Sequence, residues 1–346
     1  MALGTNHHTV TTAANFIPEV WSDETIAAYK SNLVLAPLVY NMNHKGKKGD
    51  TIHIPNPARG AASAKAASTQ VTLVTDTAGV VNVSLNKHFE YSHLFEDISD
   101  IQSLNSMRRF YVDAAGYGLA LRVDQELHGI CQGLQGGAAT GEAWAGAVIG
   151  GDGSTAFSDA ANTNTGNGTA LTDAAIRKMV QTLDDVNTPM TNRVFIVPPV
   201  EKKNLMGVSR YTEQAFIGNG DVIKNGMFGH NLYGMEVYAS TNCPWLHVNS
   251  ATGNTTTTFT SASPTGSAAA DFYGNTEDWA TSTPTDTKYR AGHMLHKDAL
   301  ILATQLDVRT QQQYKQEYLG TLVTSDCIFG VAEKRNDGGI SFVIPA

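Results

Sequence analysis

A hairpin too long to stabilise itself limits what this chain can become. Thr51-Ile52-His53-Ile54 forms a short strand that Pro55 and Pro57 are expected to stop. The chain returns through Val71-Thr72-Leu73-Val74 into an alternating run. Val81, Val83, Leu85, Phe89 and Tyr91 fall on one side of it, and Asn82, Ser84, Asn86, His88 and Glu90 on the other. Such a return strand spans roughly 40 Å at ~3.3 Å per residue, and the Ala/Ser-rich stretch from Ala58 to Ser68 reads as a flexible tip. Two strands without a packed face are marginal in water, so the hairpin needs a surface supplied by something else.

Beyond Asp100 the apolar period changes from two to helical. Val112, Ala115, Leu119, Val123, Leu127, Ile130 and Leu134 recur three or four apart and predict one long helix ending near Leu134. That helix is about 50 Å long at 1.5 Å per residue. Gly116 and Gly118 lower its propensity, and close approach of another backbone is the expected reason for them. Before the hairpin, residues 1–45 hold no core of their own, only a short helix capped by Ser22 or Asp23.

The rest reads as an α/β region carrying two insertions. Residues 136–170 and 249–287 are dominated by small polar residues and are expected on exposed surface, because they cannot bury enough apolar area to offset chain ordering. Between them lie a helix capped at Thr172 and Asp173, a strand Arg193-Val194-Phe195-Ile196-Val197 ending at Pro198-Pro199, a short helix near Lys202 to Met206, and a strand Met235 to Tyr238. The chain closes with long strands, including Cys327 to Ala332 and Ile340 to Ile344.

Charge and cysteine usage exclude several functions. The 346 residues carry 24 Lys plus Arg against 32 Asp plus Glu, a net charge of −8, which gives no strong basic field for nucleic acid. Cys131, Cys243 and Cys327 are far apart and read as reduced, buried thiols. The opening residues lack the basic and apolar regions of a signal peptide, and no window approaches the ~18 apolar residues of a membrane span. Folding in a cytoplasm, with no membrane partner, is the expectation.

Motifs with chemical potential each lack a necessary part. Gly151-Asp152-Gly153-Ser154-Thr155-Ala156 has dinucleotide-loop spacing without the flanking strand and helix. Gly46-Lys47-Lys48-Gly49 is not a phosphate loop, and Asp76-Thr77-Ala78-Gly79 has no second carboxylate copy. His293, His296 and Asp298 fall short of a zinc set, Ser209 lacks the last glycine of a nucleophile elbow, and Asp184 and Asp185 lack any hydrolytic partner. No enzyme activity, cofactor or metal is therefore expected.

The order of elements carries more information than any motif. Gly49-Asp50-Thr51-Ile52-His53-Ile54-Pro55 opens the hairpin, Phe95-Glu96-Asp97-Ile98 leads into the helix, and Gly118 to Gln125 lies within it. Arg193 to Pro199, Gly234-Met235-Glu236-Val237-Tyr238-Ala239-Ser240 and Lys297-Asp298-Ala299-Leu300 follow in turn. Together these stretches resemble the HK97-fold major capsid protein of tailed double-stranded-DNA bacteriophages, with the coat proteins of short-tailed phages the most similar. The resemblance implies an α+β capsid fold with an N-terminal arm over 1–45, an E-loop hairpin over 46–95 and a P-domain spine helix over 96–135. The A-domain follows over 136–290, with closing strands over 291–346.

It further implies a structural protein that assembles as hexamers and pentamers into an icosahedral shell around DNA, without reading its sequence. A scaffolding protein and a portal are the implied partners, with a decoration protein as an optional addition; the virion is the final location and the host cytoplasm the place of assembly. Candidate contacts between copies are the hairpin's Lys47, Lys48, Arg59 and Lys65 against Glu96, Asp97 and Asp100, with Val81, Val83 and Leu85 as an apolar alternative. The rival reading is a glycan-binding adhesive protein, suggested by the Thr/Ser-rich loops.

Overall fold

The computed structural model describes residues 33–44, 48–56, 62, 64–71, 73, 79–98, 107–134, 149–153, 169–208, 211, 232–249, 254–255 and 288–345. Helix α1 (Leu35–Leu38) and strand β1 (Tyr40–Asn43) lead into strands β2 (Thr51–Asn56), β3 (Gly79–Ser84) and β4 (Lys87–Glu96), then helix α2 (Met107–Ile130). There follow β5 (Ile149–Gly150), α3 (Asp173–Asp185), β6 (Arg193–Val197), α4 (Pro199–Met206), β7 (Glu236–Ala239), β8 (Trp245–Asn249) and β9 (Asn254–Thr255). Strands β10 (Lys288–His296), β11 (Leu300–Lys315), β12 (Gly320–Glu333) and β13 (Gly339–Pro345) close the chain.

Two larger sheets share the closing strands. One has the order β1-β11-β12-β4; the other runs β5-β13-β10-β6-β7, with β8 and β9 attached through β10. A separate two-stranded sheet is the hairpin β2-β3, in register from Thr51 opposite Ser84 to Asn56 opposite Gly79. β10 and β11 are consecutive yet lie in different sheets, so the turn at 297–299 links the two halves of the molecule.

Each half has its own apolar centre. Ile176, Met179 and Leu183 on one face of α3 pack on Phe195, Met294 and Phe342 of the larger sheet. Thr172 caps that helix by accepting the Ala175 N–H at 3.2 Å, as the sequence predicts. β6 is buried at all five positions, consistent with its central place and its continuous apolar run. A second cluster joins α2 to both sheets through Leu119, Leu127, Leu134, Leu295, Leu300 and Phe329.

Three local expectations change. The return strand is two strands, because the Leu85 N–H closes onto Asp50 O at 2.7 Å and the chain then leaves β2 to pair with β12. The inside-outside alternation continues through this break, with Val83 and Leu85 buried and Asn82, Ser84, Asn86 and His88 exposed, so periodicity alone could not reveal it. Pro55 does not stop β2, which continues to Asn56; a strand paired on one side only tolerates a residue lacking its N–H. A Cβ on Gly116 or Gly118 would meet nothing within 4 Å, so close packing inside this chain does not explain those glycines. The helix expected at Ser22 or Asp23 and most of both insertions lie outside the described residues.

Candidate assembly surface

The hairpin is rooted in the chain's own core. Val83 and Leu85 pack against Ile301 and Ala303, with Met42, Ile52, Ile54 and Ala332 at the margin. Gln305 Nε2 donates to Gly49 O at 3.1 Å, holding the other strand. Val83 and Leu85, both among the candidate contacts between copies, are buried within this chain, at 0% and 7% exposure. Val81 is half-buried opposite Ile54. Further out the apolar surface is open: Val80 is 56% exposed, Val71 64% and Leu73 89%.

The charged candidates separate along the sheet. Lys48 and Lys65 are exposed, Lys48 beside the hairpin root and Lys65 in the connection between its strands. Glu96 and Asp97 are exposed at the far end of β4, where Glu96 is opposite Gly320. β4 runs for ten residues from Lys87 near the hairpin to Glu96, about 30 Å at ~3.3 Å per residue. One copy therefore cannot pair its own hairpin-root lysine with this acidic end. Asp97 accepts the Tyr314 hydroxyl at 2.7 Å, so its carboxylate is already oriented. Lys47, Arg59 and Asp100 lie outside the described residues.

The open face of the four-stranded sheet is polar and tightly paired. Arg309 donates from Nε and a terminal nitrogen to the two Asp326 oxygens at 2.7 and 2.9 Å, and His88 Nε2 stands 3.3 Å from the same carboxylate. The hydrogen bond from Arg309 is the main reason the Asp326 carboxyl is held below its ordinary value. On the opposite face His93 stacks on Tyr111 with ring centroids 4.5 Å apart, and Arg122 lies 5.0 Å from the Phe89 ring centroid. These contacts fix α2 across the sheet.

Sequence reasoning missed a buried polar junction where α2 meets the larger sheet. Asp124 and His128 are fully buried one helical turn apart, and His293 of β10 is fully buried with its ring centroid 5.2 Å from that of His128. Asp124 accepts N–H groups from Val34 at 3.2 Å and Leu35 at 2.8 Å, and the Asn242 amide at 2.8 Å. Burial dominates and raises its carboxyl above the ordinary range. His293 Nδ1 is 2.9 Å from Ser341 Oγ, which itself donates to Cys131 O at 2.6 Å. The available signal was Asp124 and His128 at i and i+4 beside an apolar helical stripe.

The remaining chemical candidates are structural in the fold. His293 faces Ser341 and His128, whereas His296 faces Asp298, with Nδ1 4.0 Å from Oδ2. Among the described residues no group of three or more His, Cys, Asp and Glu could hold a metal. Asp184 is paired with the buried Arg193 at 2.7 Å, and Arg193 Nε also donates to Pro189 O at 2.9 Å. Gly153 has φ +78°, and a Cβ there would clash with the Ala175 backbone, which makes Gly151-Asp152-Gly153 a tight turn against α3. All three cysteines are free and buried. Asp76, Ser209, Lys47 and Gly46 lie outside the described residues.

No family model matches the chain, and no curated protein sequence matches it. Solved structures do match over nearly the full length. A structure from Mycobacterium phage Che8 is 19% identical, with TM-score 0.63, covering 95% of this chain and 97% of that one. A capsid structure of the cyanophage P-SCSP1u is 17% identical with TM-score 0.68, covering 98% and 96%. The mature capsid of bacteriophage PhiM1 is 13% identical with TM-score 0.65, covering 95% and 92%. At these identities the likeness speaks for architecture alone: this chain has an α+β fold that resembles HK97-like capsid architecture.

Proposed function

We propose that the chain is a major capsid protein that assembles into the icosahedral head of a tailed bacteriophage of the short-tailed kind. The observation that carries the reading is the hairpin: a two-stranded sheet, rooted by Val83 and Leu85, whose exposed Val71, Leu73 and Val80 find no cover among the described residues. Neighbouring copies would supply it. In this reading 1–45 is the N-terminal arm, 46–95 the E-loop, 96–135 the spine-helix region, 136–290 the A-domain, and 291–346 the closing strands. The insertions at 136–170 and 249–287 face outward from the A-domain.

The shell is built from hexamers and pentamers and encloses double-stranded DNA. A net charge of −8 per copy suits a container that does not grip its contents. Scaffolding and portal proteins guide assembly in the host cytoplasm, and a decoration protein can bind the finished surface. Co-expression with the scaffolding protein of the same phage, followed by electron microscopy, tests the reading: closed particles are expected. Monomers under all assembly conditions, with affinity for a glycan, would support the adhesive alternative.

A further inference from the structure

The polar junction has a property that assembly alone does not require. His128 is fully buried, and neither of its ring nitrogens has a hydrogen-bond partner among the described residues. Its Nε2 stands 3.7 Å from Asp124 Oδ2, beyond hydrogen-bond reach. An N–H left without an acceptor in such a place costs about 1–3 kcal/mol. The carboxylate that could accept it is occupied instead by the Val34 and Leu35 N–H groups and by Asn242. Asp124 is thus a strap that ties the start of α1 to the spine helix, and His128 is its unsatisfied competitor.

We infer that the Asp124–His128–His293 junction is an acid-released clasp: proton uptake by the histidines opens the seam between α2 and β10 and frees the segment at Val34 and Leu35. The groups facing the pair leave no room for added positive charge. Arg290, on the same strand as His293, keeps its guanidinium buried by donating to Thr241 O and Cys243 O, both at 2.7 Å. Ser341 from β13 and Cys131 from the end of α2 close the His293 side, with neutral thiols raised by burial at Cys131 and Cys243. Glu333 at the end of β12 acts on Cys131, and burial raises its carboxyl too. Among the described residues Asp124 is the carboxylate beside His128, and it is already bound by three donors.

The closed junction therefore admits neutral histidines only. Burial, then the Arg290 charge, lowers His128 from 6.5 to about 3; burial, then His128, lowers His293 well below 6.5. An opened junction hydrates both rings and lets them bind protons at ordinary values. The sign follows from linkage: the open form binds more protons, so opening becomes easier as pH falls below 6.5. Each histidine contributes up to about tenfold per pH unit. Once charged, His128 competes for Asp124, which opposes return of the strap.

The test is hydrogen-exchange mass spectrometry of the full chain over a pH series, with exchange times scaled for intrinsic rates. Protection of peptides covering 33–43 and 288–296 should fall below pH 6.5 by up to about tenfold per unit for each proton bound, while β11–β12 peptides change less. His128→Gln combined with His293→Gln should flatten that slope. Asp124→Asn, which offers one acceptor oxygen where three donors meet, should lower protection of 33–43 at every pH. An equal slope in the double variant, or acid loosening spread evenly over the wild-type chain, would overturn the clasp. If the double variant does not fold, the wild-type histidine titration by NMR decides: resonances of His128 and His293 that titrate without loss of 33–43 protection contradict it.

Discussion

The Ser84 carbonyl carbon lies 3.0 Å from the place a Cβ on Gly330 would take, with the Ser84 oxygen nearer still. β12 can pass under the hairpin root only because residue 330 has no side chain. Gly330→Val should therefore unseat the hairpin, at a cost of about 1–3 kcal/mol as for other overpacked sites. Urea unfolding measures that loss, and faster proteolysis between residues 57 and 78 reports the hairpin. Particle yield should drop further than subunit stability; equal particle yield would show that seating is dispensable.

Gly116 and Gly118 give the opposite expectation, because the space around them is open. Replacing either by Ala should raise the unfolding free energy of the subunit by about 0.5–1 kcal/mol through helix propensity. A subunit made less stable would mean that the helix is held in a way the present contacts do not explain. Lower particle yield from a more stable subunit would place this face against a neighbouring copy.

Charge reversal tests the proposed contact between hairpin and acidic end. Lys48→Glu with Lys65→Glu should reduce assembly yield and change its salt dependence, with Glu96→Lys and Asp97→Lys restoring part of it. Arg59→Glu belongs to the same set. Single exposed pairs are worth about 0–1 kcal/mol, so the effect should be read from particle yield, where many copies of a small term act together. Unchanged yield and unchanged salt tolerance would leave the open apolar residues Val71, Leu73 and Val80 as the adhesive.

Glu201 predicts a pH effect opposite in sign to that of His128. Its carboxyl is fully buried, Oε1 has no hydrogen-bond partner among the described residues, and burial raises it from 4.5 to about 7. The folded state then binds the proton more tightly than the unfolded one, so this contribution is lost as pH rises from 4.5 to about 7. Glu201→Gln should leave stability little changed at low pH and raise it by about 3 kcal/mol above neutrality. Denaturant midpoints across pH check this, and equal wild-type and variant profiles contradict it.

The long-range order of elements was legible because each announces itself locally. The alternation of β3 and β4, the stripe of α2 and the Thr172 cap are all periodic or positional signals. The break at Leu85 was hidden because the chain changes sheets without changing its inside-outside phase. Burial of Val83 and Leu85 depends on Ile301 and Ala303, more than two hundred residues away, and no local pattern encodes that contact. The same holds for His128 and His293, whose meeting depends on how α2 crosses β10. Gly330 was invisible for the same reason: its value lies in what passes beside it.

The most direct test of the account is cryo-electron microscopy of the chain expressed with its scaffolding protein. Closed icosahedral particles are expected, in which the β2–β3 hairpin of each copy lies across an adjacent copy, covering Val71, Leu73 and Val80. Particles in which the hairpin folds back on its own subunit, or a chain that stays monomeric under every assembly condition, would contradict it.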